Sequence, residues 1–493
     1  MQKFLVILFC CFTSQFAHAK FDWNLNCKNA YKSTVQLKFE EANYWLNLEK
    51  EENPNNNLVH LIDNYSDYLI IQIGEEPSDY KKLKANKDIR IEFIENDKSS
   101  SPWKLYSEAE IHLQWATNRI KFGEYFTAAF EINKAYRLLK ENEKLYPNFT
   151  PTKKSLGVLY AIIGSVPEKY NWILSTIGME GGIQKGLTLI KNTILEMKSS
   201  HSFSYMVEET YFLYAFLKMN LENEPNDLKI ILKEIKNSEY ILLKFASNRL
   251  ATKLYQNDLA LDILEKRNKS AAYYNFHYLD YLLSICKQNK LDFSSSILLK
   301  KYVNEFNGFN YKKSALLRLS WNYLLQNDIT NFKLYRDRIN KVGDIRIGAD
   351  KEAQFHFENE IQPHPCLIRA RLLFDGGYFN KAIEELNTYR SHNTINNNIY
   401  DELSYNYRYA RTLEKLNDID SAIVFYKKTI EKGNKNNLFF SAKSALQLGL
   451  IYENRNDIKN AKLYFKKCIE MDNHLYEQSL EQKAKTALER IGD

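Results

Sequence analysis

Little in this sequence breaks a helix or marks a reactive centre. Of 493 residues only nine are proline and sixteen glycine, so helical stretches meet few interruptions. Six cysteines are present, and two of them, Cys10 and Cys11, fall in the first dozen residues. The other four, Cys27, Cys286, Cys366 and Cys468, lie far apart with no CxxC pair, which excludes a zinc ribbon or a knottin-like disulfide framework. Buried thiols are expected instead. There is no HExxH, GxSxG or GxGxxG. The histidines are scattered, and the nearest pair, His356 and His364 beside Pro363 and Pro365, reads as a capped loop at an array boundary rather than a metal site. Acidic runs such as LEKEEN read as solvated helix faces. No catalysis, metal or cofactor is expected. The net charge of +7 is mild and well mixed, without the concentrated basic face that nucleic acid requires.

Long apolar runs are also missing. The chain opens with Met1, Gln2 and Lys3, continues apolar from Phe4 through Phe12, and reaches Ala17-His18-Ala19 before turning polar at Lys20. That layout is expected to be a secretory signal peptide over 1–19, with the mature chain starting near Lys20. Bulky Phe9 and the early position of Cys10 and Cys11 argue against lipidation. Beyond it no segment offers the roughly 20 apolar residues of a spanning helix; the nearest, LGVLYAIIG and WILSTIG, is broken by Pro167, Glu168 and Lys169. The expected location is therefore exported: periplasmic, or associated with the outer membrane, in a bacterium.

What the chain does have is a recurring turn. LYQNDLALDIL at 254–264, LLQNDITNF at 324–332, KLNDIDSAIVFY at 415–426 and ENRNDIKNAKLYF at 453–465 each follow one apolar-periodic segment and precede another. Asparagine tolerates the left-handed conformation that ends a helix, and aspartate caps the next helix by accepting from its free N–H groups. Such a turn at repeated intervals is the mark of stacked helical hairpins.

The segment ALQLGLIYENRNDIKNAKLYFKKCIEMD, 445–472, resembles the tetratricopeptide repeat over nearly the full repeat length. Ala445, Leu448, Gly449 and Tyr452 match the pattern of its first helix, and Ala461, Phe465 and Cys468 that of its second. Small residues are required there because the two helices cross closely. Earlier units fit with Ala410, Leu413, Ala422 and Tyr426, and with Ala370, Leu373, Gly377 and Ala382, with Arg369 standing where leucine is usual. Near the start, Trp115, Ala116, Gly123, Tyr125, Ala128 and Ala135 align with the same pattern, and Phe39 to Asn57 reads as the second half of a degenerate unit. Between them the small residues fade, with Ser294 and Phe332 at the key position. The resemblance implies an all-α, tetratricopeptide-like helical-hairpin solenoid, a right-handed superhelix, with degenerate N-terminal and central repeats and a helical insertion containing glycine and proline. The expected divisions are the signal peptide at 1–19, an N-terminal degenerate region at 20–105, a repeat-like unit with the insertion at 106–220, degenerate repeats at 221–345, and a C-terminal array with a capping helix at 346–493.

The insertion holds GMEGGIQKGLT, 178–188, whose glycines suggest a phosphate loop. The chemistry refuses it: Leu187 stands where the phosphate-binding lysine should follow Gly186, Lys185 precedes that glycine, and the flanking segments read as helices. A helix break is expected, with a new helix beginning near Ile183. The whole of 156–187 resembles, over about 35 residues, a eukaryotic family of tetratricopeptide proteins linked to inclusion-body clearance.

In the tetratricopeptide family the first helices of successive units line a concave groove. Carried onto this chain, the resemblance assigns to that groove Arg371 and Phe374, then Tyr407, Arg408 and Arg411, then Lys443, Gln447 and Leu450. The arginines, the lysine and the aromatic surface suit an acidic or carboxylate-ended peptide, because guanidinium pairs two-pronged with carboxylate. The lysine-asparagine pattern of chaperone-binding relatives is absent. The function expected is an exported, non-catalytic scaffold or adaptor for protein partners. Two alternatives stand beside it. One is a glycan-binding outer-membrane component of the SusD-like kind, against which stand a mature N-terminus without lipidated cysteine and six tryptophans, Trp23, Trp45, Trp103, Trp115, Trp172 and Trp321, dispersed along the chain. The other is a helical repeat protein associated with lipid or a membrane surface through the 156–187 hairpin.

Overall fold

The computed structural model describes residues 20–166, 178–222, 224–392, 398–433 and 437–492, and among them there is no strand. The expected signal peptide lies outside the described residues, as do Pro167 and Trp172 of the insertion. The chain divides into two compact units. One comprises residues up to 72, 81–217 and 270–274; the other comprises 73–80, 218–269 and 275 onward.

In chain order the first helices are α1 (Leu25–Val35), α2 (Phe39–Glu52), α3 (Leu58–Gly74), α4 (Pro77–Leu83), α5 (Asn86–Glu95), α6 (Pro102–Lys121), α7 (Tyr125–Leu145), α8 (Thr150–Ile163) and α9 (Ile183–Ser199). There follow α10 (Val207–Leu221), α11 (Pro225–Ile235), α12 (Ile241–Lys253), α13 (Asn257–Glu265), α14 (His277–Asn289), α15 (Ser295–Glu305), α16 (Lys312–Leu325), α17 (Ile329–Asp337) and α18 (Gly348–Glu358). The last are α19 (Pro365–Asp375), α20 (Phe379–His392), α21 (Ile399–Lys415), α22 (Ile419–Gly433), α23 (Phe440–Asn454), α24 (Ile458–Ile469) and α25 (Glu477–Arg490). Neighbours pair as hairpins: α1 with α2, α6 with α7 and α8 with α9 in the first unit, and α12 with α13 through α23 with α24 in the second.

The recurring turn works as its residues dictate at three of its four occurrences. Asn327, Asn417 and Asn456 adopt left-handed φ of 60°, 65° and 59°. The next residue then caps: Asp328, Asp418 and Asp457 accept from the backbone N–H three positions on, at 3.0, 3.2 and 3.1 Å. The turn at 254–264 differs. There Tyr255, not asparagine, takes the left-handed position at φ 58°, and Asn257 is already the first residue of α13. The Asn-Asp pair is displaced by two residues, which leaves the Tyr255 side chain free to serve elsewhere.

Hairpin crossings are tight where the repeat pattern asked for small residues. Ala410, Ala422, Ala445 and Ala461 are fully buried with Phe465 and Leu448 in one core. A methyl group on Gly449 would strike the Phe465 ring, so the glycine is what admits the aromatic. In α15 the buried small residue is Ser295, while Ser294 is exposed, a one-residue correction to the register read from sequence; Phe332 is buried. Tyr125, assigned to the same pattern, is largely exposed. Arg369 ion-pairs with Glu385 of the following helix at 2.8 Å, which explains an arginine at a leucine position. Cys27, Cys286, Cys366 and Cys468 are buried, unpaired thiols.

In the first unit α8 and α9 cross more closely still. A methyl group on Gly186 would sit on the Ala161 nitrogen and the Gly157 oxygen, both backbone atoms that cannot yield. The glycine cluster is therefore a crossing and a turn, with Gly182 N–H donating to Tyr160 O at 2.8 Å and α9 beginning at Ile183. Lys185, the lysine of the apparent phosphate loop, lies over the Tyr160 ring at 4.1 Å. The same unit holds a buried ionic knot that the linear sequence did not disclose: Lys154 donates to Glu209 at 2.9 Å and faces Glu110 at 3.6 Å, and Tyr65 also donates to Glu209 at 2.8 Å. The rings of Trp23 and Trp103, far apart in sequence, pack at a tilt with centroids 5.1 Å apart, so the tryptophans are not all dispersed.

Gly186→Ala should destabilise the first unit by about 1–3 kcal/mol through overpacking, read as a lowered urea midpoint, with Gly186→Val worse.

Candidate functional site

In the second unit the first helices of successive hairpins carry side chains at matching positions one turn apart: Arg371, Phe374 and Asp375 on α19, Tyr407, Arg408 and Arg411 on α21, and Phe440 and Lys443 on α23. Spacings of three and four residues put each set on one helix face. These faces converge on a cavity of about 230 Å³, completed by Tyr255, Glu352 of α18, and Phe439 just before α23. Six of the eight groove residues read from the sequence line it. Gln447 and Leu450 do not: Gln447 accepts from Arg411 at 2.5 Å and so orients it, and Leu450 packs against the C-terminal core.

Charge in the cavity is unevenly matched. Arg371 grips Glu352 two-pronged at 2.5 and 3.0 Å, and the Tyr476 hydroxyl donates to the same carboxylate at 3.0 Å. Burial alone would push the Glu352 carboxyl up, but the Arg371 guanidinium overrides it and holds the group well below the ordinary carboxylate range. Arg411 faces Glu414 at 3.6 Å and lies over the Phe374 ring at 5.5 Å. Arg408 and Lys443 have no carboxylate at ion-pair distance among the described residues, and the more distant Glu352 and Asp375 favour their charged forms. The Arg408 Nε donates to the Ser404 hydroxyl at 3.0 Å, and the Lys443 ammonium rests on the Phe439 and Tyr476 rings, each 4.3 Å away. Burial lowers the Lys443 ammonium to about 8, with Glu352 holding it up and Arg371 and Arg408 pressing it further down. Arg408 is lowered as well, by burial and then by Arg371.

The residues missed by sequence reasoning are Tyr255, Glu352, Asp375, Phe439 and Phe440. Asp375 and Phe440 had a signal, lying one turn from assigned positions on their own helices. Glu352 and Tyr255 had none, since one comes from a helix outside the matched repeats and the other from the displaced turn. The two histidines weighed as a metal pair are otherwise engaged: Tyr400 hydrogen-bonds His356 Nε2 at 3.1 Å, and His364 Nδ1 caps α19 by accepting from Cys366 N–H at 3.2 Å. Burial lowers His356 to about 4, which keeps it neutral.

Glu352→Gln should cost about 3 kcal/mol at pH 7, because it strands the Arg371 guanidinium in a buried site. The Glu352 carboxyl is depressed in the folded state, so its contribution is present above the unfolded value, about 4.3, and is lost as pH falls below it. Urea titrations at pH 7 and under strongly acid conditions should therefore show the gap between wild type and variant closing in acid.

The profile described as "Tetratricopeptide repeat" matches residues 403–431 and 442–474, the hairpins α21–α22 and α23–α24. No curated protein matches the sequence. Among solved structures, an IFIT1 monomeric mutant with Gppp-AAAA is similar at 14% identity and a TM-score of 0.32, covering 93% of this chain and 94% of that one. Residues 403–431 and 442–474 are therefore tetratricopeptide repeats by sequence, and helical hairpins of the same helix–turn–helix build precede them in the second unit.

Proposed function

We propose that this protein is an exported scaffold or adaptor whose C-terminal repeats seat an acidic or carboxylate-ended segment of a partner protein. The single observation that carries the reading is the pair of cations, Arg408 and Lys443, which face the cavity without a carboxylate at ion-pair distance among the described residues, the lining Glu352 being already gripped by Arg371. A partly buried ammonium resting on aromatic rings and lowered toward neutrality is costly to maintain, and an incoming carboxylate relieves that cost. Aromatic walls from Phe374, Tyr407, Phe439 and Phe440 exclude water and strengthen the pairing. The volume suits one or two side chains or a chain terminus rather than a drug-sized ligand, whose sites run to about 300–1,000 Å³. Specificity then comes from the rigid spacing of the cations, and further affinity from the rest of the partner along the repeats. Export rests on the layout of residues 1–19, and N-terminal sequencing of the protein recovered from an expressing bacterium should find the chain starting near Lys20.

The binding test uses a fluorescein-labelled tetraglutamate peptide with a free C-terminal carboxylate, followed by anisotropy. Arg408→Gln and Lys443→Met should each weaken binding about tenfold, the equivalent of 1.4 kcal/mol, while Lys443→Met leaves the urea midpoint unchanged or higher because it removes an unmatched charge. Affinity of the wild type should fall as pH rises through about 8, where Lys443 gives up its proton, and that dependence should vanish in Lys443→Met. Affinity indifferent to both substitutions would remove the cavity from the reading.

A further inference from the structure

Helix α7 in the first unit presents a face that nothing in the repeat pattern accounts for. Phe126 and Phe130 are 88% and 73% exposed, and no large apolar side chain among the described residues is more exposed than Phe126. They lie one turn apart, so their rings form a single patch on the helix surface. Further along, Arg137 and Lys144 are exposed and have no ion-pair partner among the described residues. At 3.6 residues per turn, Phe126, Phe130, Arg137 and Lys144 all fall within about 40° of one another around the helix axis. Lys140 flanks this stripe and pairs with Glu143 at 2.5 Å, and Glu141 is the acid nearest it. The opposite face of α7 is fully committed to the protein through Ala128, Glu131, Ala135, Leu138 and Leu139, which are buried.

We propose that this stripe of α7 docks on an anionic lipid bilayer surface. The chemistry is complementary along the whole length of the helix. Two phenylalanines suit the boundary between headgroups and acyl chains, and two unpaired cations meet anionic headgroups. A soluble partner protein would cover the phenylalanines equally well. A row of unpaired cations in line with exposed aromatic rings, on a helix held rigid from behind, is the arrangement that lies in an interface plane. The site is separate from the 156–187 segment and from the C-terminal cavity, and it stands or falls independently of the scaffold reading.

The test is co-flotation of the full chain with vesicles of phosphatidylcholine alone or of phosphatidylcholine with phosphatidylglycerol. The wild type should float with the anionic vesicles, and less at raised salt. Phe126→Ser with Phe130→Ser should reduce the floated fraction at least tenfold without altering the fold, because both side chains already face solvent. Arg137→Gln and Lys144→Gln should each weaken flotation about fivefold on anionic vesicles. Absence of flotation by the wild type, equal flotation with the neutral vesicles, or flotation unchanged in the phenylalanine variant overturns the proposal. Reversible self-association without vesicles, seen by sedimentation velocity and abolished by Phe126→Ser, would do the same by assigning the face to a second copy of the chain.

Discussion

Close helix crossing is the constraint on which the rest of this structure depends. Two helices joined by a short turn can bury their shared face only if something small stands where their axes approach. Ala410, Ala422, Ala445 and Ala461 meet that demand in the C-terminal array, and Gly449 meets it by leaving room for the Phe465 ring. Between α8 and α9 even alanine is too large, and Gly157 and Gly186 bring backbone against backbone. Because each crossing sets the angle at which the next hairpin stacks, these small residues also determine where the outward side chains of the first helices converge.

That convergence creates the cavity, and its electrostatics follow from which charges find partners. Arg371 is satisfied by Glu352, a bidentate pair supplied from outside the matched repeats. Arg411 is held by Gln447 and faces Glu414. The same crowding leaves Arg408 with only a serine hydroxyl and Lys443 with only ring faces. A folded chain tolerates such unmatched charge when the rest of the packing outweighs it, and unmatched charge in a concave place is where recognition is strongest. The first unit shows the opposite solution, in which Lys154 is enclosed with Glu209 and Glu110 and has no charge left to offer.

Much of this was legible in the residues. The Asn-Asp turns announced left-handed helix ends and aspartate caps, and at Asn327, Asn417 and Asn456 the backbone does what those side chains favour. At Tyr255 the turn lies two residues before the Asn-Asp pair that marks it in sequence, because a tyrosine in the left-handed region is held there by its surroundings and not by its own preference. The pattern puts Ser294 at the crossing and the structure buries Ser295 for a related reason: where two serines adjoin, helix phase alone decides which faces inward, and that phase is set by packing.

The sequence by itself determined the helical hairpins, their caps, the small residues at their crossings and the face of each first helix, since all of these follow from periods and contacts within about forty residues. It also disposed of the phosphate loop, because the order of Gly186 and Leu187 is a matter of covalent chemistry. Only the tertiary structure decided that Glu352 would neutralise Arg371 and not Arg408, that Tyr255 would close the cavity from more than a hundred residues away, and that Phe126 and Phe130 would be left uncovered. Those outcomes depend on which surfaces meet after the hairpins have stacked, and no local pattern records the distance between two side chains that the chain itself does not connect.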